Sequence, residues 1–81
     1  MVFAKKKWGQ NFLVDNNLLE KIIKTIDIKK DDEILEIGPG HGALSEKIIQ
    51  KTNTLKMVEI DPELIQVIVK NPLLSPFEIF N

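Results

Sequence analysis

The sequence predicts an α/β fold with about three parallel strands and flanking helices, and three observations carry that reading. Helix-period and strand-period apolar patterns alternate along the chain. A glycine cluster separates the first strand pattern from the helix that follows it. The connections are spaced for right-handed βαβ units, which build parallel sheets. With 81 residues, 43% apolar and 28% charged, the chain fits one small domain with a thin core.

Taken in order, residues 1–14 (MVFAKKKWGQNFLV) show no sustained period and mix basic, aromatic and amide residues around Gly9. They read as an N-terminal arm, with the folded domain over 15–81. Asp15 is placed to cap a helix over 16–26, where Leu18, Leu19, Ile22, Ile23 and Ile26 recur at helical spacing. Val14 and Leu19 are spaced for a hydrophobic staple across that cap. The charged turn Asp27 to Asp32 leads to a strand over Glu33 to Ile37, broken by Gly38-Pro39-Gly40-His41-Gly42.

Good helix formers return from Ala43 to Lys51, with Leu44, Ile48 and Ile49 forming the buried stripe. A second strand is expected over Leu55 to Ile60. Asp61 then caps a helix that has Pro62 at its first position and Leu64, Ile65, Val67, Ile68 and Val69 within it. Asn71-Pro72 stops that helix, and Phe77 to Phe80 alternates like a third strand.

Several function classes fall away on composition. No apolar run is long enough to span a bilayer. There is no cysteine, so neither a disulfide framework nor a cysteine-based zinc site is available. No secretory leader is visible at the N-terminus, and the expected compartment is the cytoplasm. The net charge of −1 hides an asymmetry: residues 1–30 hold seven Lys against three acids, and residues 31–81 hold four Lys against nine. Every basic residue is Lys, which attracts phosphate as a point charge without the bidentate fork of Arg.

The glycine loop falls where parallel sheets bind ligands, at the carboxyl ends of the strands. Without Cβ, a glycine backbone can turn at positive φ and approach a ligand closely. The pattern Gly38-x-Gly40-x-Gly42-Ala43 matches the dinucleotide fingerprint G-x-G-x-x-G/A only in part, and no Gly-Lys-Ser/Thr follows to cradle a triphosphate. Glu59 lies about twenty residues beyond the loop, where an acid accepts the ribose hydroxyls of a nucleoside. Glu36, in the loop's own strand, suits a ligand with a cationic part better than one with a pyrophosphate. A nicotinamide or flavin site and a bare strand-to-helix turn remain the alternatives.

Three segments together resemble the N-terminal part of the ribosomal RNA small-subunit adenine N6,N6-dimethyltransferase family. They are Gly9-Gln10-Asn11-Phe12-Leu13 ahead of a helix, Glu36-Ile37-Gly38-Pro39-Gly40-His41-Gly42-Ala43-Leu44-Ser45, and Val58-Glu59-Ile60-Asp61. The resemblance covers Lys6 to Asn81. Its E-x-G-x-G-x-G element is shared by many S-adenosylmethionine (SAM) enzymes, whereas GQNFL followed by I-G-P-G-x-G-x-L and E-I-D is far more specific. Large-subunit rRNA adenine methyltransferases also carry a Q-N-F element and are the nearest confusable relatives.

The resemblance implies a Rossmann-like SAM-dependent methyltransferase fold. It implies SAM as cofactor and the small ribosomal subunit's RNA as partner. Cofactor contacts carried over by position are Asn11, Leu13, Gly38 and Glu59, with Glu36, Gly40, Gly42 and Ile60 completing the expected site. Lys5, Lys6, Lys7 and Trp8 are the candidate RNA contacts, supplying phosphate attraction and a stacking surface.

Two family elements are not found in these residues: an aspartate just after the third strand, and an N-[LI]-P-[YF] segment after the fourth, which holds the target amino group. The chain is therefore expected to contain no catalytic residues, to supply the cofactor-binding half, and to be inactive alone. A noncatalytic remnant and a nicotinamide-type oxidoreductase fragment are the competing readings. His41 has no partner arranged for metal binding, and no metal is expected. The exposed edge of the sheet is expected to favour self-association.

Overall fold

The computed structural model of the chain describes residues 15–81. Three parallel strands lie in the order β1-β2-β3: β1 (Glu33–Ile37), β2 (Thr54–Val58) and β3 (Glu78–Phe80). Helix α1 (Asn16–Ile26) precedes the sheet, α2 (Ala43–Ile48) joins β1 to β2, and α3 (Pro62–Lys70) joins β2 to β3. The register pairs Glu33 with Thr54 through Ile37 with Val58, and Lys56 with Glu78 through Val58 with Phe80.

The caps follow from the sequence. Asp15 Oδ1 accepts from Leu18 N at 3.1 Å, satisfying one of the N–H groups that a helix start leaves without an internal partner. Asp61 does the same for α3, accepting from Glu63 N at 2.9 Å, with Pro62 in the first turn where no N–H is needed. At the far end of α1, Asp27 takes the left-handed conformation at φ 54° and donates its N–H to Ile23 O.

Three boundaries differ from the sequence expectation. Helix α2 ends at Ile48 rather than Lys51, because Gln50 N bonds Lys47 O and Lys51 N bonds Ile48 O, tightening the last turn. Strand β2 runs over Thr54–Val58 instead of Leu55 to Ile60, and β3 starts at Glu78, one residue after Phe77.

The core gathers Leu19 and Ile23 of α1, Leu44 and Ile48 of α2, Leu55 and Met57 of β2, Ile68 of α3, Ile28, and Leu74 from the loop before β3. Each such side chain contributes about 1.5–3 kcal/mol on leaving water. Lys47 of α2 meets Glu20 of α1 at 2.7 Å. The opposite face of the sheet is open among the described residues: Leu35 is 60% exposed and Ile37 54%, with Phe80 also exposed. Helix α3 buries only Ile68 fully, and Val67 and Val69 stay exposed.

Candidate functional site

The site forms where β1 and β2 end. Gly38 N donates to Val58 O at 2.8 Å, carrying the β1–β2 pairing one residue into the loop. Gly38, Gly40 and Gly42 all have positive φ, at 71°, 61° and 90°, a path that ordinary residues adopt only under strain. The loop folds back on itself through Gly42 N to Pro39 O at 2.9 Å, over a fully buried Pro39, and delivers the chain into α2.

Gly42 is required for a reason that spacing alone did not reveal. A Cβ there would lie 2.4 Å from Leu74 Cδ1 and 3.0 Å from Ile68 Cδ1, so the turn is packed against the core below it. Both Leu74 and Ile68 are buried and have little room to retreat.

Two acids flank this loop, and both are buried. Glu59 is 6% exposed. Its Oε1 accepts from Gly40 N at 3.3 Å and its Oε2 from Asp61 N at 3.0 Å, so the end of β2 and the glycine loop converge on one carboxylate. Each oxygen retains acceptor capacity beyond its amide partner. Glu59 N also donates to Phe80 O at 2.9 Å, which locks this residue's main chain to β3.

Glu36 is 4% exposed, and its Oε1 accepts from the Ser45 hydroxyl in the first turn of α2. Its other oxygen, Oε2, is buried and accepts no hydrogen bond among the described residues. Burial pushes the Glu36 carboxyl above the ordinary glutamate value of 4.5, with the Ser45 bond opposing that shift.

The structure thus brings Gly38, Gly40, Gly42, Glu36 and Glu59 together at one end of the sheet. Ile60 follows Glu59 and is 82% exposed. His41 is an exposed turn residue within the same loop. Lys5, Lys6, Lys7, Trp8, Asn11 and Leu13, and the staple at Val14, lie outside the described residues. Sequence reasoning missed Ser45, Leu74 and the clamp in which Asn71 Nδ2 donates to Glu46 Oε2 at 2.8 Å. In the structure Ser45 is the single polar residue among the three that α2 buries, Leu44, Ser45 and Ile48.

Among the described residues there is no cluster of His, Cys, Asp and Glu suited to a metal ion, and no helix long and apolar enough to cross a membrane. Parallel strands, a positive-φ glycine loop at their carboxyl ends, and an acid at the end of the second strand define a Rossmann-like fold.

Within that class the assignment is specific. The family profile for ribosomal RNA adenine dimethylase matches residues 1–80, and the chain belongs to that family. It is 47% identical over 64 residues to a ribosomal RNA small subunit methyltransferase A of Malacoplasma penetrans, covering 79% of this chain and 24% of that protein. It is 49% identical over 76 residues to the protein of the same name from Ureaplasma parvum, covering 94% and 27%.

Among solved structures, a dimethyladenosine transferase from Plasmodium falciparum superposes with a TM-score of 0.70 at 32% identity, covering 80% of this chain and 25% of that one. The 23S rRNA methyltransferase ErmE superposes with a TM-score of 0.74 at 30% identity, covering 86% and 29%. The chain spans about a quarter of the length of the curated relatives it matches.

Proposed function

We propose that this chain is the cofactor-binding part of a SAM-dependent enzyme that dimethylates the N6 amino groups of adenines in small-subunit ribosomal RNA. The observation that carries the reading is the Glu59 carboxylate seated against Gly40, which places an acceptor pair and bare positive-φ backbone side by side at the strand ends. In this reading Glu59 takes the ribose hydroxyls, and the Gly38 to Gly42 backbone lies along the nucleoside. Glu36 offers its buried second oxygen to the ammonium of the methionyl part.

That donor set fits the group: SAM has no phosphate to be repelled by two buried carboxylates, and it carries the cations they favour. When bound, SAM supplies an electrophilic methyl group. The chain's own residues bind and orient it, and Asn11, Leu13 and Ile60 complete the contacts. Lys5, Lys6, Lys7 and Trp8 serve the RNA side, and the place of action is the cytoplasm. Because the aspartate and the N-[LI]-P-[YF] segment are not among these residues, the chain by itself transfers no methyl group. The open sheet face and its edges favour self-association in isolation.

A thermal-shift titration tests the cofactor. SAM or its demethylated product raises the melting temperature of the chain, and NAD at the same concentration does not. Preference for NAD would sink the proposal.

A further inference from the structure

We propose that Ser45 is a positioning residue for the cofactor's amino-acid end: its hydroxyl ties down one oxygen of Glu36, so that the other is reserved for a ligand ammonium. The inference rests on the SAM reading above and adds to it a residue that touches no ligand.

A glutamate this deeply buried is ordinarily paired with a cation or fully hydrogen-bonded. Glu36 is neither. The ion pairs among the described residues are Lys29–Asp27 and Lys47–Glu20, and the described donor to Glu36 is the Ser45 hydroxyl alone. A carboxylate offers about four lone-pair sites, so most of its capacity is unused among the described residues.

A purely structural role, in which Glu36 would organise the glycine loop by accepting its amides, does not match the bonds. Gly38 N goes to Val58 O, Gly42 N to Pro39 O, and Gly40 N to Glu59. The three glycine amides are satisfied without Glu36. A buried acid that neither pairs with a cation nor holds the loop destabilises the free protein, unless a ligand supplies what it lacks.

Ser45 restrains that acid. It is completely buried in the first turn of α2, a helix anchored by Leu44 and Ile48 on either side of it. Its hydroxyl therefore comes from a rigid element and fixes the Glu36 side chain in one orientation. An alanine there would leave both oxygens unheld in the cavity so created. A threonine keeps the hydroxyl and adds one methyl group.

Calorimetry with two ligands that share a nucleoside tests this. S-adenosylhomocysteine carries the ammonium, and 5′-methylthioadenosine lacks the amino-acid part. Ser45→Ala is expected to weaken S-adenosylhomocysteine about tenfold and to leave 5′-methylthioadenosine unchanged. Ser45→Thr restores the affinity, and Ser45→Ala adds nothing once Glu36→Gln is present. Circular dichroism of each variant verifies the fold.

An equal loss for both ligands, no loss for either, or additive effects of the two substitutions would overturn the positioning role while leaving the SAM reading intact. Failure of the unsubstituted chain to bind either ligand would overturn both.

Discussion

At the amino ends of the strands, the buried Thr52 hydroxyl lies 3.0 Å from Lys30 O and 2.6 Å from Asp32 O, and it accepts from Thr54 N at 3.3 Å. At the carboxyl ends, the equally buried Glu36 receives one hydroxyl and keeps an oxygen without a donor among the described residues. The two ends bury polar groups to opposite effect. Around Thr52 every polar need is met by nearby backbone, and the cluster staples the turn before β1 to the start of β2. Around Glu36 and the glycine loop, the chain accepts positive φ and a half-satisfied acid, features that weaken a fold and recur where ligands bind.

The sharpest way to break that contrast is at Gly42. Gly42→Ala introduces a Cβ against Leu74 and Ile68 at a backbone angle that side chains rarely adopt. It should destabilise by about 2–4 kcal/mol, read as a shift in the urea midpoint. In a Leu74→Ala background the same change should be less harmful, because the nearest atom is gone. Identical penalties in both backgrounds would show that packing is not the reason for the glycine.

Thr52→Val comes next, at about 1–3 kcal/mol, because it breaks partly buried hydrogen bonds and leaves the Lys30 and Asp32 carbonyls and the Thr54 amide without their hydroxyl partner. Its effect on S-adenosylhomocysteine affinity should be nil. A loss of ligand binding as large as that of a site variant would erase the distinction between the two ends.

Glu36→Gln should do the reverse and stabilise the ligand-free chain at neutral pH, by about 1 kcal/mol or about 4–8 °C in melting temperature. The sign follows from linkage. The folded-state pKa is raised above 4.5, so the acid opposes folding least below 4.5, and stability is lost as pH rises through the folded value. The advantage of Gln over Glu should therefore grow upward from pH 4.5 and vanish below it. A glutamine variant that melts lower at pH 7 and equally at pH 4 would mean that Glu36 is a structural asset.

The elements were legible wherever their signals are local. Asp15 and Asp61 announce helix starts through side chains that bond three and two residues ahead. The five residues Glu33–Ile37 are bounded by a charged turn and by glycines, and β1 occupies that span. The end of α2 was not legible: Gln50 and Lys51 are good helix formers, and nothing in their identity says that their amides will reach back only three residues.

The site divides in the same way. Gly38, Gly40, Glu36 and Glu59 stand out by spacing and residue type. The part played by Leu74 under Gly42 depends on how the loop after α3 returns to the sheet, and the bond from Ser45 to Glu36 depends on a turn built from three positive φ angles. Neither relation is written in local pattern.

The bond from Glu59 N to Phe80 O carries a consequence for the order of assembly. A nascent chain emerges from its amino terminus, so the glycine loop and Glu59 leave the ribosome while the partner that fixes the Glu59 main chain is still inside it. The glycine loop and Glu59 are thus synthesised before the Glu59 main chain can be fastened, and that end of the sheet is completed with the last strand to be synthesised among those described.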